Sequence, residues 1–301
     1  MRTRVLTRSL RQPFAPAAVL VPVALLAAAI VPAFNASSYA APTNAAPHAI
    51  TIRASAATFP KKIAAGFVSV TLVNDLKGTA EAEASFARAN PGFTLAQIKA
   101  VSGNSQSVAG FVRLSQMLTF IGGDNSIPAG ASETAVLDMR VPGLYGVDLT
   151  FGNGPNSPDR LLTFTVTPRQ GQAAPVTSGI PITLKDMKIL GLPKQVAAGA
   201  VSFQFTNKGP QDHEVSVVRL DPGKTQKDVL AILRSPQGQN GPPPAWAHDM
   251  GGMDTLSPHQ IANLRLTLTS GYYVAMCFMP DVKKQGEPHV MEGMISHFVV
   301  R

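Results

Sequence analysis

From residue 49 onward, apolar and polar positions alternate in short runs. Phe67-Val68-Ser69-Val70-Thr71-Leu72-Val73 is one such run, and Ala200-Val201-Ser202-Phe203-Gln204-Phe205-Thr206 is another. A period of two puts alternate side chains on opposite faces, the signature of a half-buried strand. Pro and Gly turns bound the runs. The pattern predicts strands near 49–54, 66–74, 80–88, 133–140, 143–151 and 160–167, and again near 180–188, 199–207, 213–220, 262–269, 271–278 and 294–300. Two places break the alternation with helical signals. Thr94-x-x-Gln97 fits a capping box and Thr225-x-x-Asp228 a looser one, predicting short helices that end near Val101 and Arg234.

The two sets of strands belong to a repeat. Thr58-Phe-Pro-Lys-Lys-Ile-Ala-Ala-Gly66 matches Gly191-Leu-Pro-Lys-Gln-Val-Ala-Ala-Gly199. After a small slip, Glu83, Ser85, Arg88, Pro91, Gly92 and Thr94 meet Glu214, Ser216, Arg219, Pro222, Gly223 and Thr225. Gly122-Gly123 then meets Gly251-Gly252, and Gly143-Leu-Tyr145 meets Gly271-Tyr-Tyr273. A period of about 130 residues is too long for a solenoid and implies a duplicated domain. The expected fold is all-β, with two tandem Greek-key β-sandwiches, each carrying one short helix. The boundaries are 41–168 for copy one, 169–179 for a Gln/Ala/Pro/Gly-rich linker, and 180–301 for copy two.

Residues 1–40 stand outside this pattern. Arg2, Arg4, Arg8 and Arg11 precede an apolar run from Ala17 to Phe34, and Ser38-Tyr39-Ala40 places small residues before a cut after Ala40. This is a secretory signal pattern. Pro22 and Pro32 inside the run speak against an uncleaved anchor. Export to the periplasm or the exterior follows, with no membrane insertion after cleavage. Without those four arginines, 22 basic residues face 18 acidic ones, a formal charge of +4 with no Lys/Arg block. Nucleic acid is therefore not an expected partner. Cys277 is the sole cysteine, so no internal disulfide can form. A lone thiol in an oxidising compartment needs burial or a metal.

The candidate chemistry lies at the end of copy two. The segment Gly271-Tyr-Tyr-Val-Ala-Met-Cys277 leads into a loop that returns His289, then Met294 at the start of the last strand. Upstream, Asn207 ends a strand and His213 opens the next. This constellation resembles the cupredoxins, the family of plastocyanin, azurin and the cupredoxin domains of copper nitrite reductase. The Gly-x-Tyr-x-x-x-Cys lead-in and the His-x-x-x-x-Met spacing carry the resemblance. It implies one copper ion held by the imidazoles of His213 and His289, the thiolate of Cys277 and the axial thioether of Met294. Soft sulfur suits the cuprous ion and imidazole the cupric ion, so such a set serves both oxidation states. Met291 is the alternative axial ligand. The resemblance also implies that electrons leave by an imidazole edge near the surface, that of His289. Two departures stand out. The Cys277–His289 gap is long for the small blue proteins, and Glu214 follows His213 where Asn is common. They bear on site geometry and on the groups bracing the ligands.

Copy one is an internal control. Ala82 and Leu149 occupy the positions of His213 and Cys277, and copy one has no His after residue 48. Tyr145/Tyr273 and Glu83/Glu214, shared by both copies, read as residues of the fold. A second soft cluster, His248-Asp-Met250-Gly-Gly-Met253, reads as the lining of an irregular loop. Trp246, Tyr272, Tyr273 and Phe278 read as core or shielding residues, and Pro242-Pro-Pro244 as a rigid loop near the site. His259 and His297 read as solvent-facing or structural.

The function expected is single-electron transfer by an exported copper protein, with a redox protein as partner. The alternative is a copper-free or cuprous-ion-binding chaperone sandwich that acts through protein contacts. The His count argues against an enzyme. A multicopper oxidase needs a trinuclear cluster and nitrite reductase a second three-His copper. Only His48, His248, His259 and His297 are left, in no ligand-like spacing.

Overall fold

A computed structural model of the chain describes residues 48–77, 81–102, 107–151, 159–169, 179–235 and 243–301. The signal pattern at 1–40, residues 170–178 of the linker and Pro242 lie outside the described residues.

Copy one contains β1 (His48–Arg53), β2 (Lys62–Ala64), β3 (Gly66–Val73), β4 (Ala82–Ala89), α1 (Leu95–Ser102), α2 (Val108–Met117), β5 (Leu118–Ile127), β6 (Ser132–Met139), β7 (Gly143–Phe151) and β8 (Asp159–Thr167). Copy two contains β9 (Ile180–Lys185), β10 (Lys188–Leu190), β11 (Gln195–Val196), β12 (Gly199–Asn207), β13 (His213–Leu220), α3 (Gln226–Leu233), β14 (Ala247–Leu256), β15 (Ile261–Leu268), β16 (Gly271–Met276), β17 (Pro280–Asp281), β18 (Glu287–Pro288) and β19 (Ile295–Val300). All twelve predicted strands are present. The predicted helices are α1 and α3. Thr94 N–H donates to Gln97 at 2.8 Å and Thr225 N–H to Asp228 at 2.9 Å, as capping boxes require.

The strands form two sheets that run through both copies. One is ordered β1-β3-β6-β15-β12-β9-β10 and the other β11-β19-β16-β13-β14-β5-β4-β7-β8-β2. The two sandwiches are therefore fused edge to edge: β6 pairs with β15 and β5 with β14. The order is close to a palindrome about these junctions. Ala135 faces Leu264 and Asp124 faces Met253, and within each pair the two residues occupy the same place in the repeat. The registers also agree between copies. Arg88 opposes Tyr145 as Arg219 opposes Tyr273, and Ser85 opposes Asp148 as Ser216 opposes Met276. Each tyrosine hydroxyl donates to the carbonyl four residues earlier, Val141 or Thr269, at 2.7 Å.

The junction strands were not legible in the pattern, and α2 was not either. The stretch expected as an irregular loop around Met250 and Met253 is the strand β14. Its counterpart β5 carries a buried polar run, Asp124-Asn125-Ser126, in place of alternation. Gly123 and Gly252 explain the interruption. They adopt φ of 147° and 145°, and a Cβ on either would lie 1.9 Å from the Ala84 carbonyl or 2.0 Å from that of Val215. Only glycine permits so close a backbone approach at a strand irregularity.

Polar contacts stitch the junction. Ser85 donates to Asp254 at 3.0 Å, Asn125 to Ser216 at 3.2 Å, and Phe120 N–H to the Ser257 hydroxyl at 2.9 Å. The carboxyls of Asp124 and Glu133 are both buried here, facing Gly251.

Candidate metal centre

Four separate elements deliver the candidate ligands. His213 is the first residue of β13, Cys277 follows β16, His289 opens a single 3₁₀ turn (His289–Glu292), and Met294 precedes β19. The backbone ties the last three together. Cys277 N–H donates to the Met294 carbonyl at 3.1 Å, and Val290 N–H to the Cys277 carbonyl at 2.7 Å. Met294 N–H donates to the His289 carbonyl at 3.0 Å. Gly293, at φ 104°, makes the left-handed turn that ends the 3₁₀ turn and admits Met294 to the strand entrance.

The long gap between Cys277 and His289 is taken up locally. Pro280 pairs with Pro288 and Asp281 with Glu287, so the surplus residues close on themselves as a small hairpin. His289 N–H then donates to the Met279 carbonyl at 2.9 Å. The ligand segment re-enters two residues from where it left.

The structure brings His213, Cys277 and His289 together, with one donor atom from each lying within 4.8 Å of the others. His213 Nδ1 and His289 Nδ1 are 3.1 Å apart, and Cys277 Sγ is 3.9 Å and 3.5 Å from them. All three residues are fully buried, at 0% exposure. Burial depresses the basicity of both imidazoles, that of His289 to about 4, with the charge of His213 as the second cause. Each ring is therefore neutral at physiological pH, the form that ligates metal. The Nε2 of His289 is buried without a hydrogen-bond partner among the described residues. Burial, and after it the Glu214 charge, pushes the Cys277 thiol far above its usual range. Such a thiol is inert towards oxidants until a cation displaces its proton.

Glu214, read from the sequence as a fold residue, braces the site. Its N–H donates to Cys277 Sγ at 3.5 Å, and its carboxylate accepts the Phe278 N–H at 3.2 Å. The residue after the first His thus grips the thiolate segment with both backbone and side chain. Gln211 accepts the Val282 N–H at 3.0 Å, holding the hairpin from the same loop as His213. Asp186, on the β9–β10 turn, receives His213 Nε2 at 3.3 Å. With Nε2 acting as donor, the Nδ1 lone pair of His213 faces the cluster. Nothing in the sequence marks Asp186, 27 residues before its partner.

Met294 is fully buried in the same apolar cluster as Cys277 and Met279. Met291 packs instead against the separate cluster of Leu220, Val229 and Val274. The His248 cluster does not assemble. His248 lies at the surface, 2.7 Å from Asp221, whereas Met253 is buried at the junction against Gly122. Trp246 and Phe278 pack against that second cluster with Val229 of α3, and Tyr273 lies in the core against Phe298. His297 is exposed and stacks on Tyr272, and His259 is exposed. The expectation that the edge of His289 reaches solvent is not met, because that residue is completely covered. At the equivalent place, copy one buries Ala82 and Leu149, with no donor atom.

No protein-family profile and no curated protein matches the sequence. Among solved structures, an auracyanin from Roseiflexus castenholzii is 19% identical, with 42% of this chain matched to 99% of that one and a TM-score of 0.29. Auracyanin A from Chloroflexus aurantiacus, titled a "blue" copper protein, is 15% identical over 40% of this chain and 99% of its own, with a TM-score of 0.26. A multicopper oxidase from Campylobacter jejuni is 10% identical, covering 84% of this chain and 55% of that one, with a TM-score of 0.24. The fold is a double β-sandwich whose two sheets run through both halves of the chain. The buried His213–Cys277–His289 cluster fits a type 1 copper site in its donor set of two imidazoles and one thiol. Among the described residues, no helix is long and apolar enough to cross a membrane.

Proposed function

We propose that this is an exported copper protein that passes single electrons through one copper ion in its C-terminal half. His213 and His289 would hold the ion through Nδ1 and Cys277 through Sγ, with Met294 as the axial thioether. Bound copper supplies the one-electron couple. The chain supplies neutral imidazoles, a dry cavity and a fixed donor set. The observation that carries the reading is the convergence of three fully buried donor atoms from β13, the end of β16 and the 3₁₀ turn. The hydrogen bond from Cys277 N–H to the Met294 carbonyl supports Met294 over Met291 as axial ligand. Export is supported by the N-terminal pattern and agrees with a single, buried cysteine. Copy one, a duplicate without donors, would act as a brace. Val108 of α2 meets the ligand hairpin at Gly286, where a Cβ would lie 2.3 Å from Val108 Cγ2.

The test uses residues 41–301 with cupric ion, followed by visible absorption and electron paramagnetic resonance. An intense thiolate-to-copper band that disappears in Cys277→Ala supports the reading. Tight cuprous binding without colour, lost in a Met250/Met253 double variant, would instead support the chaperone alternative. No binding of either ion would refute both.

A further inference from the structure

The covered His289 raises the question of where an electron enters or leaves. Tunnelling rates fall steeply with distance, so a partner must approach a ligand edge. His213 offers one. Its Nε2 is 3.3 Å from Asp186 Oδ1, and Asp186 is 27% exposed. Gly209, itself buried, packs directly against this edge. A Cβ there would lie 2.7 Å from both His213 Nε2 and Asp186 Oδ1, so no larger residue can sit over the pair. From the ligand atom to solvent, the path is one imidazole ring and one carboxylate.

The rim of this outlet is basic. Lys185 and Lys188 face each other across the turn that carries Asp186. Lys208 is anchored to the same strand, its N–H donating to the Leu184 carbonyl at 2.8 Å. Lys283, at the tip of the ligand hairpin, places its ammonium 3.8 Å from Asp186 Oδ2 and is 66% exposed. Lys185, Lys188 and Lys208 are also exposed and form no ion pair among the described residues. Four exposed lysines thus lie on the strands and loops next to one carboxylate, which Lys283 engages directly. Glu287, the exposed acid of the hairpin, sits on the opposite strand of that hairpin from Asp281.

We propose that this face is the electron-transfer docking surface, and that its occupant is a redox protein presenting a cluster of acidic side chains. The inference rests on the copper reading above, and charge complementarity identifies the partner. Clustered charge of one sign raises association rates by about 10–10³-fold at low ionic strength, and salt screens the effect. The small net charge of the exported chain makes local clustering, not overall charge, the source of selectivity.

The test compares the wild-type protein, a K185E/K188E/K208E/K283E variant and a K61E/K62E/K99E control with three reversed lysines in copy one. The copper-loaded reduced proteins are oxidised by hexacyanoferrate(III) at low and high salt. The outlet variant is expected to react at least about tenfold more slowly at low salt, with the gap closing at high salt. Tris(1,10-phenanthroline)cobalt(III), a cationic oxidant, should show the opposite order. The copper-free proteins are then titrated against a fluorescent deca-glutamate peptide by anisotropy. The outlet variant should bind at least about tenfold more weakly, and the control should match wild type. An equal loss in the control, or no loss in the outlet variant, overturns the proposal. If copper is not taken up at all, the copper reading fails on its spectrum, and the peptide titration still decides whether this face selects acidic partners.

Discussion

At the scale of single residues, the site depends on side chains that the ligand motif does not contain. Glu214 shows this best, because it touches both sides of the thiolate: its amide meets Sγ and its carboxylate meets the next amide along. Glu214→Ala is expected to weaken copper binding by about 10–100-fold, the usual effect of removing such a brace. Glu214→Gln keeps an acceptor for the Phe278 amide and should retain most of the affinity. With the nearby negative charge gone, its reduction potential should rise. Chelator competition and voltammetry on the two variants separate bracing from charge. The candidate ligand constellation is legible in the sequence because copper chemistry dictates the residue types it would need. Glu214 was misread for a physical reason: its backbone does half the work, and any residue type supplies a backbone amide. Asp186 was invisible because only folding brings it to His213.

At the scale of elements, strands with one apolar face announce themselves and strands buried at a junction do not. β3 and β12 alternate along most of their length and were legible. β5 and β14 are paired on both edges, bury polar residues such as Asp124 and Asp254, and carry glycine pairs where the alternation should continue. Gly252→Ala would force a methyl to within 2.0 Å of the Val215 carbonyl, two residues from His213, at a backbone angle that alanine rarely adopts. A loss of more than about 3 kcal/mol is expected in urea unfolding, together with weakened copper binding. Gly123→Ala makes the same clash with Ala84 in the half without donors. It should cost similar stability, but copper affinity in the protein that remains folded should change far less.

At the scale of the whole molecule, the two halves are one structure and should unfold together, because neither sheet ends at the junction. The buried pair Asp124–Glu133 makes this unit sensitive to alkali. Burial raises both carboxyls, and the charge of Asp124 raises Glu133 further. The unfolded chain releases these protons at ordinary carboxyl values, whereas the folded chain holds that of Asp124 to about pH 6 and that of Glu133 far higher. Their contribution is thus full at low pH and declines as pH rises above about 4.5, by up to about 1.4 kcal/mol per pH unit for each retained proton. Glu133→Gln, which is neutral at every pH, should flatten the dependence of stability on pH between about 5 and 8, as measured by denaturant unfolding at each pH. The outer limits of the sheets matter in a different way. Three of the four edges are β2, β10 and β11, of three, three and two residues. Edges so short give a neighbouring chain little to pair with. The long strands β5, β6, β14 and β15 are spent on each other at the junction, so among the described residues β1, at six residues, is the one edge of these two sheets long enough to recruit a further chain.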